Sequence, residues 1–140
     1  MTNPTLPPCS VLVRLTREWE ALGARPAVLA RARSWDLGVP RHSLGDLLVA
    51  TGMQVSAAAR AERHGREPAD RAAGERANAV LCRLVVVARR DDLAARAVLQ
   101  RLLPGLLAVA RRRSRGMGPG DAAVCLEDLV AAAWSVIRTF

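Results

Sequence analysis

The chain has 140 residues and a formal net charge of +8, and 51% of its residues are hydrophobic. This length suits one domain, and the hydrophobic content is enough for a packed core, which excludes a wholly disordered chain. Aromatic residues make up only 3%, so we expect a core of Leu, Val and Ala. The abundance of Leu, Ala and Arg favours helix over strand.

The positive charge is unevenly distributed. All 21 basic residues are arginine, which is typical of a GC-rich genome such as an actinomycete's, so composition alone accounts for part of the charge. Residues 1–70 carry 9 arginines against 7 acidic residues, whereas residues 71–140 carry 12 against 6. The second half is therefore the strongly basic one, and it is where a nucleic acid partner would be expected.

Cysteine usage and the lack of a signal sequence indicate a cytoplasmic protein. Cys9, Cys82 and Cys125 are far apart and form no CxxC pair, so neither a disulfide framework nor a zinc site is expected. Cys82 and Cys125 lie on or beside apolar faces, and we expect them to be buried. No secretion signal is evident, and the apolar runs fall short of the roughly 20 residues that span a membrane.

The first half predicts a proline-rich leader, residues 1–9, and then three helices. Their expected ranges are 10–24, 26–35 and 43–52. Ser10 is expected to cap the first helix, and Ser43 with Asp46 has the spacing of a capping box.

Residues 54–76 differ in character from both flanking segments. They are polar and charged, and Gly65, Pro68 and Gly74 interrupt them, so we predict a linker or long loop. This linker separates an N-terminal helical segment, residues 1–53, from a C-terminal segment, residues 77–140, and we expect the whole to form one domain.

The second half predicts three more regular helices. The helix over 77–90 is apolar nearly all round, which predicts a buried position. Asp91 or Asp92 caps the next helix, which ends near Arg113 and in which Pro104 predicts a kink. After a loop over 114–120, the last helix begins between positions 121 and 127. The fold class is thus all-α, a compact bundle of about five to six helices.

No pattern in the sequence indicates catalysis. His42 and His64 have no cysteine or carboxylate at ligand spacing, and no phosphate-binding glycine motif occurs. Adjacent carboxylates at positions 91–92 and 127–128 stand at predicted helix starts, where capping explains them. We therefore expect no enzyme activity, no metal and no cofactor.

The clearest charged feature is a cluster of four arginines at the end of the second-half helix, Arg111, Arg112, Arg113 and Arg115. Such a cluster can contact phosphates and give salt-dependent affinity for nucleic acid. The alternative is a solvated helix end in an arginine-rich protein.

Residues 92–140 resemble the first two helices of region 2 in bacterial sigma-70-family factors, especially the extracytoplasmic-function type. The shared features are an acidic start at Asp92, a leucine-rich helix with Pro104, an Ala-Arg-Arg end at 110–112, a loop, and a Glu-Asp-Leu-Val sequence at 127–130. The family usually has Gln-Glu after that sequence, where this chain has two alanines. Residues 1–76 resemble no family.

This resemblance implies docking on the clamp helices of the RNA polymerase β′ subunit. The residues that match the docking surface are Glu127, Asp128, Val130 and Trp134, with Arg101 as a neighbour. The sequence stops at Phe140, before the segment that melts and reads the promoter −10 element, so we do not expect a complete sigma factor.

Three functions are therefore open. The first is a transcription-associated regulator that binds DNA, RNA polymerase core or both. The second is a basic nucleoid-type DNA-binding protein without polymerase contact. The third is a helical protein-interaction module, in which a homodimer is possible.

Overall fold

The computed structural model describes residues 10–53 and 67–140, and within these ranges the regular structure is entirely helical. The six helices are α1 (Val11–Gly23), α2 (Pro26–Ser34), α3 (Leu44–Ala50), α4 (Glu67–Ala88), α5 (Asp92–Arg113) and α6 (Pro119–Thr139). The helices pack against one another, and the predicted all-α bundle of about six helices is confirmed.

Side chains cap three of the helices at the predicted positions. The Ser10 hydroxyl accepts a hydrogen bond from the Val13 N–H at 3.4 Å, and the Ser43 hydroxyl accepts one from the Asp46 N–H at 3.0 Å. Asp91 caps α5 in the same way. Each cap satisfies N–H groups that have no partner inside the helix, which is why the helices begin at these residues.

The predicted linker is wrong over its last ten positions. Residues 54–66 lie outside the described residues, but residues 67–76 form the first turns of α4. Pro68 is the second residue of the helix, where a missing N–H breaks no helical hydrogen bond. Gly74 costs only about 1 kcal/mol relative to alanine, and the surrounding Ala, Arg and Glu residues are good helix formers.

Over residues 71–88, only one stripe of α4 is buried, so the expectation of a buried helix is also wrong. The buried positions follow helical spacing and are Val80, Leu84 and Ala88. Val86 on another face is 64% exposed, and Cys82 is exposed rather than buried, while Cys125 is half-buried. An apolar composition on all sides therefore does not make α4 an interior helix, because it packs mainly against α5.

The interior position belongs to α5, which packs against each of the other five described helices. Its residues 93–99 are all buried, although the sequence there includes Arg96. The main core cluster combines Trp19 and Leu47 from the first half with Leu84, Val98 and Ile137 from the second. One continuous core thus joins the two halves of the chain.

A second, smaller cluster joins the start of α1 to the later part of α5 and the first half of α6. Its buried members are Val11, Leu15, Leu103, Ala110 and Leu126. The helix α5 continues through Pro104 as one helix. This cluster holds the end of α5 and the start of α6 together beside the short loop that connects them.

By length and composition, α5 could also cross a membrane, with a mean hydropathy of 1.4 over its best 18-residue window. Within the structure 44% of that window is buried, and core helices of soluble bundles can have the same length and hydropathy. The expectation of no membrane partner stays a prediction.

The loop between α2 and α3 is held by the buried side chain of Arg41. Its guanidinium donates hydrogen bonds to the backbone carbonyls of residues 32, 33, 35 and 39. Carbonyls at the end of a helix lack partners within the helix, and a guanidinium has enough donors to satisfy several at once. Burial, partly opposed by the charge of Asp36, lowers the pKa of Arg41.

Candidate functional site

The predicted nucleic-acid-binding cluster lies at the end of α5 and in the loop that follows. Arg111, Arg112, Arg113 and Arg115 are all exposed. Their side chains make no ion pair or hydrogen bond with the part of the chain that the structure describes. The last turn of a helix carries partial negative charge, so arginines are favourable there even without a ligand.

The predicted partner-binding residues differ in their exposure and contacts. Glu127 and Asp128 are exposed on α6, whereas Val130 and Trp134 are half-buried and pack against the core. Arg101 lies elsewhere on α5, where its Nε donates to the Thr51 carbonyl at 3.2 Å, at the end of α3.

Three of these residues instead line a groove between α1 and α6 whose floor is α5. Its volume is about 600 Å³, and Glu127, Val130 and Trp134 form its α6 side. Apolar side chains from α1 and α5, including Leu15 and Leu99, complete the walls. The groove is shallow and broadly open to solvent.

The floor of the groove carries Arg96, which is only 9% exposed. Its Nη1 donates to Gln100 Oε1 at 2.9 Å and its Nη2 donates to the Leu15 carbonyl at 2.6 Å. The guanidinium carbon lies 5.6 Å from the centre of the Trp19 ring, within range of a cation–π interaction. The Nε atom is buried and has no hydrogen-bond partner in residues 10–53 and 67–140.

No carboxylate within the described ranges forms an ion pair with Arg96. Burial lowers the pKa of its guanidinium, and the nearby charge of Glu18 only partly offsets this. An arginine pKa starts so high that the group stays charged at neutral pH. A full positive charge is therefore held at the bottom of the groove with neutral hydrogen-bond acceptors only.

The rim of the groove has mixed charge. Arg14 and Glu18 project from α1 and Glu127 from α6, and all three are exposed. Together with Arg96 the lining holds two positive and two negative side chains, of which only Arg96 is removed from water. The electrostatic preference of the interior is thus set by Arg96.

Sequence reasoning missed Arg96 and the α1 side of the groove. A signal for Arg96 existed, because it is the one charged residue within the apolar run 93–99 of the central helix. No signal pointed to α1 as the opposite wall, since that follows from packing between helices far apart in the chain.

The other residues considered for chemistry form no site in the described ranges. His42 is exposed and its backbone N–H donates to Asp46, while His64 and Cys9 lie outside the described residues. In residues 10–53 and 67–140, no group of three or more His, Cys, Asp or Glu side chains is placed to hold a metal ion.

No protein-family model matches the chain, and no curated protein or solved structure is significantly similar to it. The resemblance to sigma region 2 therefore rests on the sequence features of residues 92–140 alone.

Proposed function

We propose that the chain is a non-catalytic, transcription-associated regulator that binds DNA, RNA polymerase core or both through α5 and α6. The observation that carries the proposal is the exposure of Arg111, Arg112, Arg113 and Arg115 without carboxylate partners in the described ranges. Exposed guanidinium groups of this kind can bind phosphates at little cost in free energy, because no internal ion pair must be broken first.

The polymerase part of the proposal depends chiefly on Glu127 and Asp128. Both are exposed on α6, close in sequence to the loop that carries Arg115. Val130 and Trp134 are half-buried, so only part of each side chain could contact a partner. The Arg101 side chain already donates a hydrogen bond to the Thr51 carbonyl. The docking surface of this chain is therefore narrower than the resemblance implies.

The DNA part is tested by titrating a short duplex over a series of salt concentrations. Replacing the four arginines with alanine should weaken DNA binding. It should also make the slope of log affinity against log salt concentration less steep by about 3.6, which is about 0.9 for each phosphate that the variant no longer neutralises. The matched control replaces four other exposed arginines, Arg17, Arg25, Arg71 and Arg76.

This control removes the same charge from other parts of the chain. Equal weakening by both variants would mean that net charge, rather than the cluster, binds DNA. Unchanged affinity in the cluster variant would reject the cluster as the site.

The polymerase part is tested by capture of purified RNA polymerase core on the immobilised chain at low salt. Capture by the wild type, reduced in a Glu127→Ala, Asp128→Ala variant, supports the proposal. DNA binding without capture would favour the nucleoid-type alternative. Failure of both assays at low salt would refute the regulator.

The second candidate is a helical interaction module that forms a homodimer. It is favoured by large apolar side chains that stand more than half exposed, namely Val86, Met117, Val124, Val136 and Phe140. Size-exclusion chromatography with light scattering separates the two functions, because a strict monomer that binds DNA excludes the dimer.

A further inference from the structure

We propose that the groove between α1 and α6 binds a small carboxylic acid with an apolar body, whose carboxylate is held by Arg96. This inference does not rest on the DNA or polymerase functions, although the groove shares Glu127, Val130 and Trp134 with the predicted polymerase-docking residues. It rests on a buried cation with unused donors at the bottom of an apolar groove.

The unused hydrogen-bonding capacity of Arg96 is the first argument. A guanidinium has five N–H donors, and two are used, toward Gln100 and the Leu15 carbonyl. Among the remaining donors, the buried Nε has no partner within the described residues. The nearby Glu18 balances the charge of Arg96 only in part and forms no ion pair with it, so a carboxylate from outside would gain a charge-assisted hydrogen bond that no described side chain supplies.

The walls of the groove argue for an apolar body behind the carboxylate. Its volume of about 600 Å³ falls within the range of small-molecule sites. The side chains of Val11, Leu15, Leu99 and Val130 give it apolar surface, and Trp134 adds an aromatic face. A ligand with only a charged group would leave these walls in contact with water.

The rim charges argue for a single negative charge. Glu18 and Glu127 face the opening, so a phosphate or another multiply charged anion would be repelled at the entrance. A monocarboxylate suffers less repulsion, and Arg14 at the same rim offsets part of it. The geometry thus favours a carboxylate over a phosphate as the ligand of Arg96.

Isothermal titration calorimetry with three probes tests this assignment. Decanoate has both the carboxylate and an apolar chain, 1-decanol has the chain alone, and inorganic phosphate has charge alone. We expect decanoate to bind at least about tenfold more tightly than 1-decanol, which corresponds to about 1.4 kcal/mol. We expect no binding of phosphate at this site.

Two variants on α6 locate the binding without removing Arg96. Ala131 lines the groove and Ala132 does not, and both are exposed. Ala131→Trp should fill the groove and weaken decanoate binding by at least about tenfold, whereas Ala132→Trp should leave it within about twofold. Circular dichroism checks that both variants keep the wild-type helix content.

The assignment would be overturned by any of three results. Equal affinity for decanoate and 1-decanol would make Arg96 only a structural link between α1 and α5. Equal effects of the two tryptophan variants would place binding outside the groove. No decanoate binding in the millimolar range would mean that the groove is not a ligand site.

Discussion

Asp91 connects three parts of the chain through four hydrogen bonds. Its Oδ1 accepts from the Leu93 and Ala94 N–H groups at 2.9 and 3.1 Å, which caps α5. Its Oδ2 accepts from Arg31 Nε at 3.0 Å and from Trp35 Nε1 at 3.1 Å. The cap was predictable from sequence, but the two bonds to residues some sixty positions away were not.

Replacing Asp91 with alanine should destabilise the fold by about 2 kcal/mol, because a cap is worth about 1 kcal/mol and the charge-assisted bonds add to it. Urea unfolding followed by circular dichroism measures this. Asp92→Ala is the matched control, since Asp92 is exposed and forms an ion pair with Arg138, and it should cost less than about 1 kcal/mol.

The contribution of Asp91 should also depend on pH. Burial raises the pKa of Asp91, but the bonds from Ala94, Arg31 and Trp35 outweigh burial, so the net pKa is lowered. A lowered folded-state pKa gives stability that is present above the unfolded value of about 3.9 and is lost as pH falls through the folded value. The gap between wild type and Asp91→Ala should therefore close in strong acid, and a constant gap would contradict this account.

At the scale of the elements, α4 shows the limits of reading helix boundaries from single residues. Pro68 and Gly74 indicated a loop, yet both lie within the helix. A proline in the first turn and a single glycine cost a helix little free energy. The surrounding helix formers and the packing of Val80 and Leu84 stabilise α4 by more than this cost. By contrast, α1 and α3 were predicted closely because capping serines and apolar spacing agreed.

Gly74→Ala should stabilise the protein by about 0.5–1 kcal/mol, because alanine restricts the unfolded chain and is a better helix former. An added Cβ at this position has no neighbour within 4 Å. Thermal unfolding measures the change.

Gly52→Ala is the contrasting variant, because Gly52 has a φ of +91° and its Cβ would lie 3.3 Å from that of Ala77. It should destabilise the protein, since alanine is strained in this backbone conformation. If Gly74→Ala lowered the unfolding temperature, the start of α4 would not be helical in solution.

For the whole molecule, stability should be centred on α5. The sequence predicted that α5 has an apolar face, but it indicated α4 as the buried helix. Composition does not reveal how many neighbours a helix has. Residues 93–99 are buried on all sides, whereas residues 71–76 of α4 are exposed. The molecule is thus organised around one helix rather than around two separate halves.

Amide hydrogen exchange should reflect this arrangement. Amides in the first half of α5 should open only with global unfolding, at about 5 kcal/mol or more, whereas those of residues 71–76 should exchange through local opening. Exchange measured by mass spectrometry on overlapping peptides distinguishes them. Equally slow exchange in both segments would contradict a stability gradient.

The candidate site was only partly predictable for the same reason. The arginine cluster is contiguous, so the sequence shows it directly. The groove forms where Leu15 and Trp134 come close together from nearly opposite ends of the chain. Such a juxtaposition depends on how α1 and α6 both lie on α5, and no local pattern encodes it.

The placement of the three tryptophans gives the protein a built-in set of optical reporters. The chain has no tyrosine, so excitation near 295 nm and 280 nm alike reports on tryptophan. Trp19 lies over the Arg96 guanidinium, Trp35 donates to Asp91, and Trp134 lines the groove. Variants that keep one indole at a time would therefore separate events at the cation, at the α5 cap and in the groove by emission wavelength and quenching.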